Sequence, residues 1–227
     1  MGTDAGIEGH VAGLRAGRAC IALIAGLALA SPCPAQAPAA RTIVFFGDSL
    51  TAGYGLPDPG TQSFPAQIQR MIDAERLPWR VVNAGLSGET SAGGLRRLDW
   101  VIARKPDVFV LELGANDGLR GIPTEATRGN LQAIIDRVRS RYPGTAIVLA
   151  GMRMPGSMGP EFEQAFAALY PALAAKNGLT LIPFLLEGVA GRPELNQPDR
   201  IHPTASGASI VAGTVWKCIR PILIRSD

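Results

Sequence analysis

From Thr42 onward, short apolar runs alternate with amphipathic stretches, and this alternation restricts the fold more than any other feature of the chain. TIVFF at 42–46, WRVVNA at 79–84, DVFVLEL at 107–113, TAIVLAG at 145–151 and LTLIPF at 179–184 read as strands. Between them, apolar residues recur at helical spacing: Phe64, Ile68, Met71 and Ile72; Leu95, Leu98, Val101 and Ile102; Leu131, Ile134, Ile135 and Val138; Phe162, Ala165, Phe166, Leu169 and Leu173. Ala208, Val211, Val215, Ile219 and Ile222 mark a terminal helix, with Pro203 in its first turn, where a missing N–H costs nothing. Strand–helix alternation at this spacing builds βαβ units. The expected class is α/β: a three-layer α/β/α sandwich around a five-stranded parallel sheet. Near-continuous apolar strands agree, because strands of such sheets are covered on both faces. No repeat or long linker interrupts residues 38–227, which read as one domain.

Open parallel sheets collect ligands at the carboxyl ends of their strands. GDSLTAG follows the first strand, NAGLSGET the second and ELGANDG the third, and QPDRIHP precedes the last helix. Small polar residues and glycines therefore gather at one edge. A serine hydroxyl there needs a base to become a nucleophile, and imidazole suits that task near neutral pH. The chain has two histidines, and only His202 lies outside the first forty residues. Asp199, three residues earlier, can orient that ring and stabilise its charged form. Plainer roles are open to the same residues. Ser49 can cap a short helix, His202 can close the turn before Pro203, and Asp199 can brace its own loop. Other chemistries lack parts. One histidine and one cysteine (Cys218) after residue 40 do not make a metal centre, and neither a phosphate-binding loop nor a dinucleotide fingerprint is present. Ser49 sits in GDSLT rather than G-x-S-x-G, unlike the α/β-hydrolase nucleophile.

GDSLTAGYG, VVNAGLSGETS, LELGANDGLRG and DRIHP together resemble the four blocks of the SGNH (GDSL) hydrolases, over about Arg41 to about Ile222. ELGANDGLRG and PFLLEGV at 183–189 are most similar to the bacterial thioesterase I/lysophospholipase L1 group and its arylesterase relatives. The resemblance implies a flavodoxin-like sheet and a catalytic set of Ser49, Asp199 and His202. It implies an oxyanion hole made by the backbone N–H groups of Ser49 and Gly88 and the side-chain amide of Asn116, with no cofactor and no metal. Gly85 is a second glycine of the same loop, but the register of the block favours Gly88. Asp48 and Asp117 are expected to organise turns through side-chain to backbone hydrogen bonds. Residues 117–124 would form a mobile loop over an acyl groove.

The expected reaction is hydrolysis of carboxylic esters, such as aryl esters and lysophospholipids, and of acyl thioesters, through an acyl-enzyme. Its rate should climb as the base loses its proton, in the ordinary imidazole range near about 6.5. Loops 53–64, 117–124 and 152–160 should frame the mouth; the last, MRMPGSMGP, carries three methionines that can line an acyl site or pack beneath the loop. Two rivals are an envelope carbohydrate or acyl-group esterase, disfavoured by an aromatic content of 6%, and a non-catalytic lipid-binding module. Net charge is +3 with basic residues scattered, which points away from nucleic acid as a partner. The expected partner is a small acyl ester or thioester, and the expected state a monomer.

Residues 1–37 read as a signal peptide. Arg15 and Arg18 precede the apolar run ACIALIAGLALA at 19–30, and Ala35-Gln36-Ala37 supplies a small-residue cleavage site. Twelve residues fall short of the about 20 needed to span a bilayer, so no stable span is expected after processing. A start near Val11 or Leu14 would shorten the long flank ahead of that run. The expected location is periplasmic or secreted. Cys20 and Cys33 fall within this leader region, and Cys218, alone after it, reads as a core residue.

Overall fold

The computed structural model describes residues 40–154 and 158–225; the expected leader lies outside the described residues. Five parallel strands run β1 (Arg41–Gly47), β2 (Trp79–Gly85), β3 (Val108–Glu112), β4 (Ala146–Ala150) and β5 (Thr180–Ile182). Their order is β2-β1-β3-β4-β5, the doubly wound arrangement. The direction of winding reverses between β1 and β3. There the connections leave on opposite faces, so a crevice opens above the strand ends. The register sets Gly47 level with Gly85 on one side and Glu112 on the other. Three loops thus emerge side by side.

Helices α3 (Phe64–Ala74) and α8 (Ala205–Ile224) pack together on one face; α4 (Ser91–Val101), α6 (Thr124–Arg141) and α7 (Pro160–Asn177) pack in sequence on the other. Most of each predicted stripe is buried. Ile68 and Ile72, the four residues Leu131, Ile134, Ile135 and Val138, and Val211, Val215 and Ile219 are all essentially inaccessible. Each such side chain removed from water contributes about 1.5–3 kcal/mol. Helix α8 is the one described helix apolar and long enough to cross a membrane, with mean hydropathy 1.3, yet its apolar stripe is packed into this core. Cys218 is half-buried against the same core, and burial pushes its thiol pKa up.

Four expectations need correction. First, β2 is an edge strand with Arg80, Val82 and Asn83 exposed, so only one of its edges is paired and its faces are incompletely covered. Second, β5 ends at Ile182 rather than residue 184, because Pro183 has no N–H to extend the ladder. Third, Pro203 precedes α8 instead of opening it; Thr204 is the cap, its hydroxyl accepting from Gly207 N–H at 3.2 Å. Fourth, Ala165 is exposed, and Tyr170 takes the core position on α7.

Candidate active site

β1 ends at Gly47 because nothing larger fits. A Cβ there would lie 2.7 Å from the Glu112 carbonyl and closer still to the Thr51 and Glu112 side chains. The chain then turns into α1 (Ser49–Ala52), capped by Asp48, whose Oδ1 accepts from Leu50 N–H at 3.0 Å. Gly53, at φ +78, closes this single turn in the left-handed region. Ser49 is thereby presented above the ends of β1 and β3.

Far along the chain, Asp199 and His202 arrive on the loop before α8. Asp199 Oδ1 accepts from the N–H groups of Ile201 (2.9 Å) and His202 (3.0 Å), which folds the loop into a tight turn. Arg200 at its apex holds φ 62, a left-handed conformation uncommon outside glycine. The other Asp199 oxygen, Oδ2, lies 2.7 Å from His202 Nδ1, and His202 Nε2 lies 2.8 Å from Ser49 Oγ. One unbroken chain therefore runs from carboxylate through imidazole to hydroxyl. Burial pushes the Asp199 carboxyl up, but the His202 and Ile201 N–H groups and the imidazole outweigh it and bring it down to about 2. The Tyr54 ring sits 4.8 Å from the His202 ring.

Across a cleft of about 330 Å³ from this chain stand Gly88 and Asn116. Gly88, at φ +78, belongs to the loop after β2. Among the described residues, neither its backbone N–H nor that of Ser49 meets a protein acceptor. Gly85 is ruled out as the alternative donor: it sits in β2, and its N–H is taken by Asn83 Oδ1 at 2.9 Å. Asn116 lies in α5 (Ala115–Leu119) after β3. Its Nδ2 donates to Asp48 Oδ2 at 3.1 Å and to the Glu89 carbonyl at 3.0 Å. Asp117 is fully buried and accepts from Ser91 N–H (2.8 Å) and Ser91 Oγ (2.5 Å), tying α5 to α4. Asp48 thus braces its own turn as expected, whereas Asp117 differs from the expectation: its carboxylate ties α5 to neighbouring helices through Ser91 and Thr127. Such an arrangement can deprotonate a hydroxyl and offers an anionic oxygen two free backbone N–H donors, with the Asn116 amide beside them able to share one of its two engaged N–H groups.

Several residues that build the site do not stand out in the amino-acid sequence. Glu112 is completely buried beneath it; its Oε2 accepts from Asp48 N–H (3.2 Å) and Thr51 Oγ1 (2.7 Å), while Oε1 has no partner among the described residues. Burial, then the nearby Asp48, raises the Glu112 pKa well above its ordinary value, which favours the neutral acid. An acid inside the run DVFVLEL was the available signal. Arg97, from α4, holds the carbonyls of Gly47 (3.1 Å) and Ala84 (2.9 Å), pairs with Glu89 and lies 4.3 Å over the Phe46 ring. Nothing in its sequence neighbourhood signals that role. At the rim, Arg120 Nη2 donates to the Gly88 carbonyl at 3.0 Å, bridging the segments after β2 and β3. Of the loop methionines, Met152 is core and Met154 packs beside Gly118 on α5, which favours packing beneath the loop; residues 155–157 lie outside the described residues.

Comparison with known proteins adds independent findings. Residues 45–210 match the profile of the GDSL-like lipase/acylhydrolase family. The chain is 39% identical over 189 residues to esterase TesA of Pseudomonas aeruginosa, spanning 83% of this chain and 92% of that one. It is 34% identical over 189 residues to thioesterase 1/protease 1/lysophospholipase L1 of Escherichia coli K12, spanning 83% and 88%. A solved structure of TesA superposes with a TM-score of 0.76 at 39% identity, covering 81% of this chain and 100% of that one. With the profile spanning most of the chain and two relatives matched over most of their length, the protein belongs to the GDSL-like lipase/acylhydrolase (SGNH hydrolase) family.

Proposed function

We propose that this cleft is the active centre of a serine acyl-hydrolase in which Ser49 is the nucleophile, His202 the general base and Asp199 its orienting partner. The observation that carries the reading is the contact chain of 2.7 and 2.8 Å ending on a serine that lines an open cleft. Ser49 Oγ forms a bond to the acyl carbon as its proton passes to His202 Nε2. The carbonyl oxygen becomes an anion, met by the N–H groups of Ser49 and Gly88 and by the Asn116 amide. Collapse breaks the bond to the leaving oxygen or sulfur, which takes the proton from Nε2. Water then attacks the acyl-enzyme by the reverse route, and Ser49 regains its proton.

The substrates are carboxylic esters, including aryl esters and lysophospholipids, and acyl thioesters. Support comes from relatives named esterase and thioesterase 1/lysophospholipase L1, and from Leu50, Leu119 and Ile201 in the cleft wall, which suit an acyl chain. An envelope-polymer esterase is less well supported, since among the described residues Tyr54 is the single Phe, Tyr or Trp lining the cleft. We further propose that residues 1–37 are a secretory leader, and that the processed enzyme is a periplasmic or secreted monomer with no membrane span.

Hydrolysis of p-nitrophenyl esters and acyl thioesters of graded length tests the reading. Wild-type protein should be active, and Ser49→Ala should lose at least about 10³-fold in kcat. A wild type inert on every ester and thioester, or an active Ser49→Ala, would refute it.

A further inference from the structure

Resting on that reading, we propose that Asp48 is a positioning residue that couples the turn carrying the nucleophile to the amide of the oxyanion hole. Its carboxylate divides its two oxygens between them. Oδ1 holds Leu50 N–H and so fixes the turn that presents Ser49; Oδ2 holds Asn116 Nδ2. The side chain is essentially inaccessible, and its own N–H is anchored on Glu112 beneath.

The amide needs such a guide. The last torsion of an asparagine side chain is soft and roughly two-fold, so nitrogen and oxygen exchange places at little intrinsic cost. Only the nitrogen end helps catalysis, because a carbonyl oxygen turned toward a developing oxyanion repels it. Asn116 Nδ2 sits between two acceptors, Asp48 Oδ2 and the Glu89 carbonyl. An ionised carboxylate and a carbonyl can only accept, so both reject the oxygen end. Together they select the orientation in which the nitrogen, not the oxygen, lines the cleft; both its N–H groups are engaged in this structure, and a developing oxyanion would share one of them. Asp48 thereby acts on the reaction through Asn116, without touching substrate.

Asp48→Asn separates this role from capping. Asparagine has one acceptor oxygen. Spent on Leu50 N–H, it keeps the cap but sets an NH2 group against the Asn116 NH2. Expected results on a short-chain p-nitrophenyl ester are a KM within about threefold of wild type and a kcat lower by about 10²-fold, the scale of one lost oxyanion donor. Asn116→Ala should lose a comparable factor, and the double variant should lose no more than Asn116→Ala alone. A crystal structure of Asp48→Asn reads the geometry without catalysis and should show the Asn116 amide rotated away from its present partners. Additive losses in the double variant, a kcat near wild type, or an unmoved amide would each overturn the coupling. An inactive wild type would instead refute the acyl-hydrolase reading, while the crystal structure would still decide the coupling.

Discussion

In its proposed role, Asp199 would matter much to chemistry and little to folding. Its side chain is 38% exposed, so solvent screens its pairing with His202 and the contribution to global stability is small. Its pKa, brought down to about 2, gives the sign of what remains. A depressed carboxyl stabilises the fold above the ordinary carboxylate value, and that contribution fades as pH falls toward about 2. Asp199 is therefore ionised throughout the neutral range and adds no step of its own to the rate profile there. Asp199→Asn keeps the size of the side chain while removing the charge that favours the imidazolium. We expect kcat to fall by about 10²–10⁴-fold with the melting temperature nearly unchanged. Steady-state kinetics beside a thermal melt checks this, and a kcat within about threefold of wild type would remove Asp199 from the catalytic set.

At the scale of elements, the catalytic geometry depends on turns too short to carry a period. Gly114 opens α5 at φ +116, and a Cβ there would lie 2.3 Å from Tyr170 Oη, which is itself fixed to the Leu113 carbonyl at 3.1 Å. Gly114→Ala should therefore cost about 2–4 kcal/mol and lower kcat, since α5 carries Asn116. Gly129 offers the contrast: it is exposed within α6 with nothing within 4 Å of an added Cβ. Gly129→Ala should stabilise by about 0.5–1 kcal/mol and leave kcat unchanged. Denaturant midpoints for the two variants should move in opposite directions, and movement in one direction would contradict the account. The same contrast explains which elements the sequence reveals. The long helices announce themselves because burial repeats every three or four residues, and the inner strands because both faces are covered. α1 and α5 span 4 and 5 residues, barely one helical turn, and no periodicity can build up in that length. Edge strand β2 was legible in position but not in burial, which depends on what lies beside it in the sheet.

For the whole molecule, topology unites Ser49 and His202 from 153 residues apart. Their chemistry was legible because serine, aspartate and a lone late histidine each followed a strand or preceded the last helix. Glu112 was not, since its meaning arises only when β3 is laid beside β1 and its side chain is sealed under Asp48 and Thr51. That burial has a consequence for the entire fold. Burial, then the charge of Asp48, raises the Glu112 pKa well above its ordinary value of 4.5. Burial also lifts Asp48 from 3.8 to about 6, against the pull of Leu50 N–H, His202 and Asn116. A carboxyl raised in the folded state stabilises most below its unfolded value and loses that advantage as pH rises toward its folded value. Above its ordinary value of 4.5 the unfolded chain gives up the Glu112 proton before the folded protein does, so stability falls as pH rises until the folded group ionises too. Glu112→Gln has a similar shape and no proton to release. Melts of both proteins from about pH 4.5 to about pH 8 should show the wild type losing ground to the variant steadily as pH increases. A melting-temperature difference that stays flat, or that moves toward the wild type, would mean that Glu112 is already ionised inside the fold. The neutral floor beneath the nucleophile would then have to be abandoned.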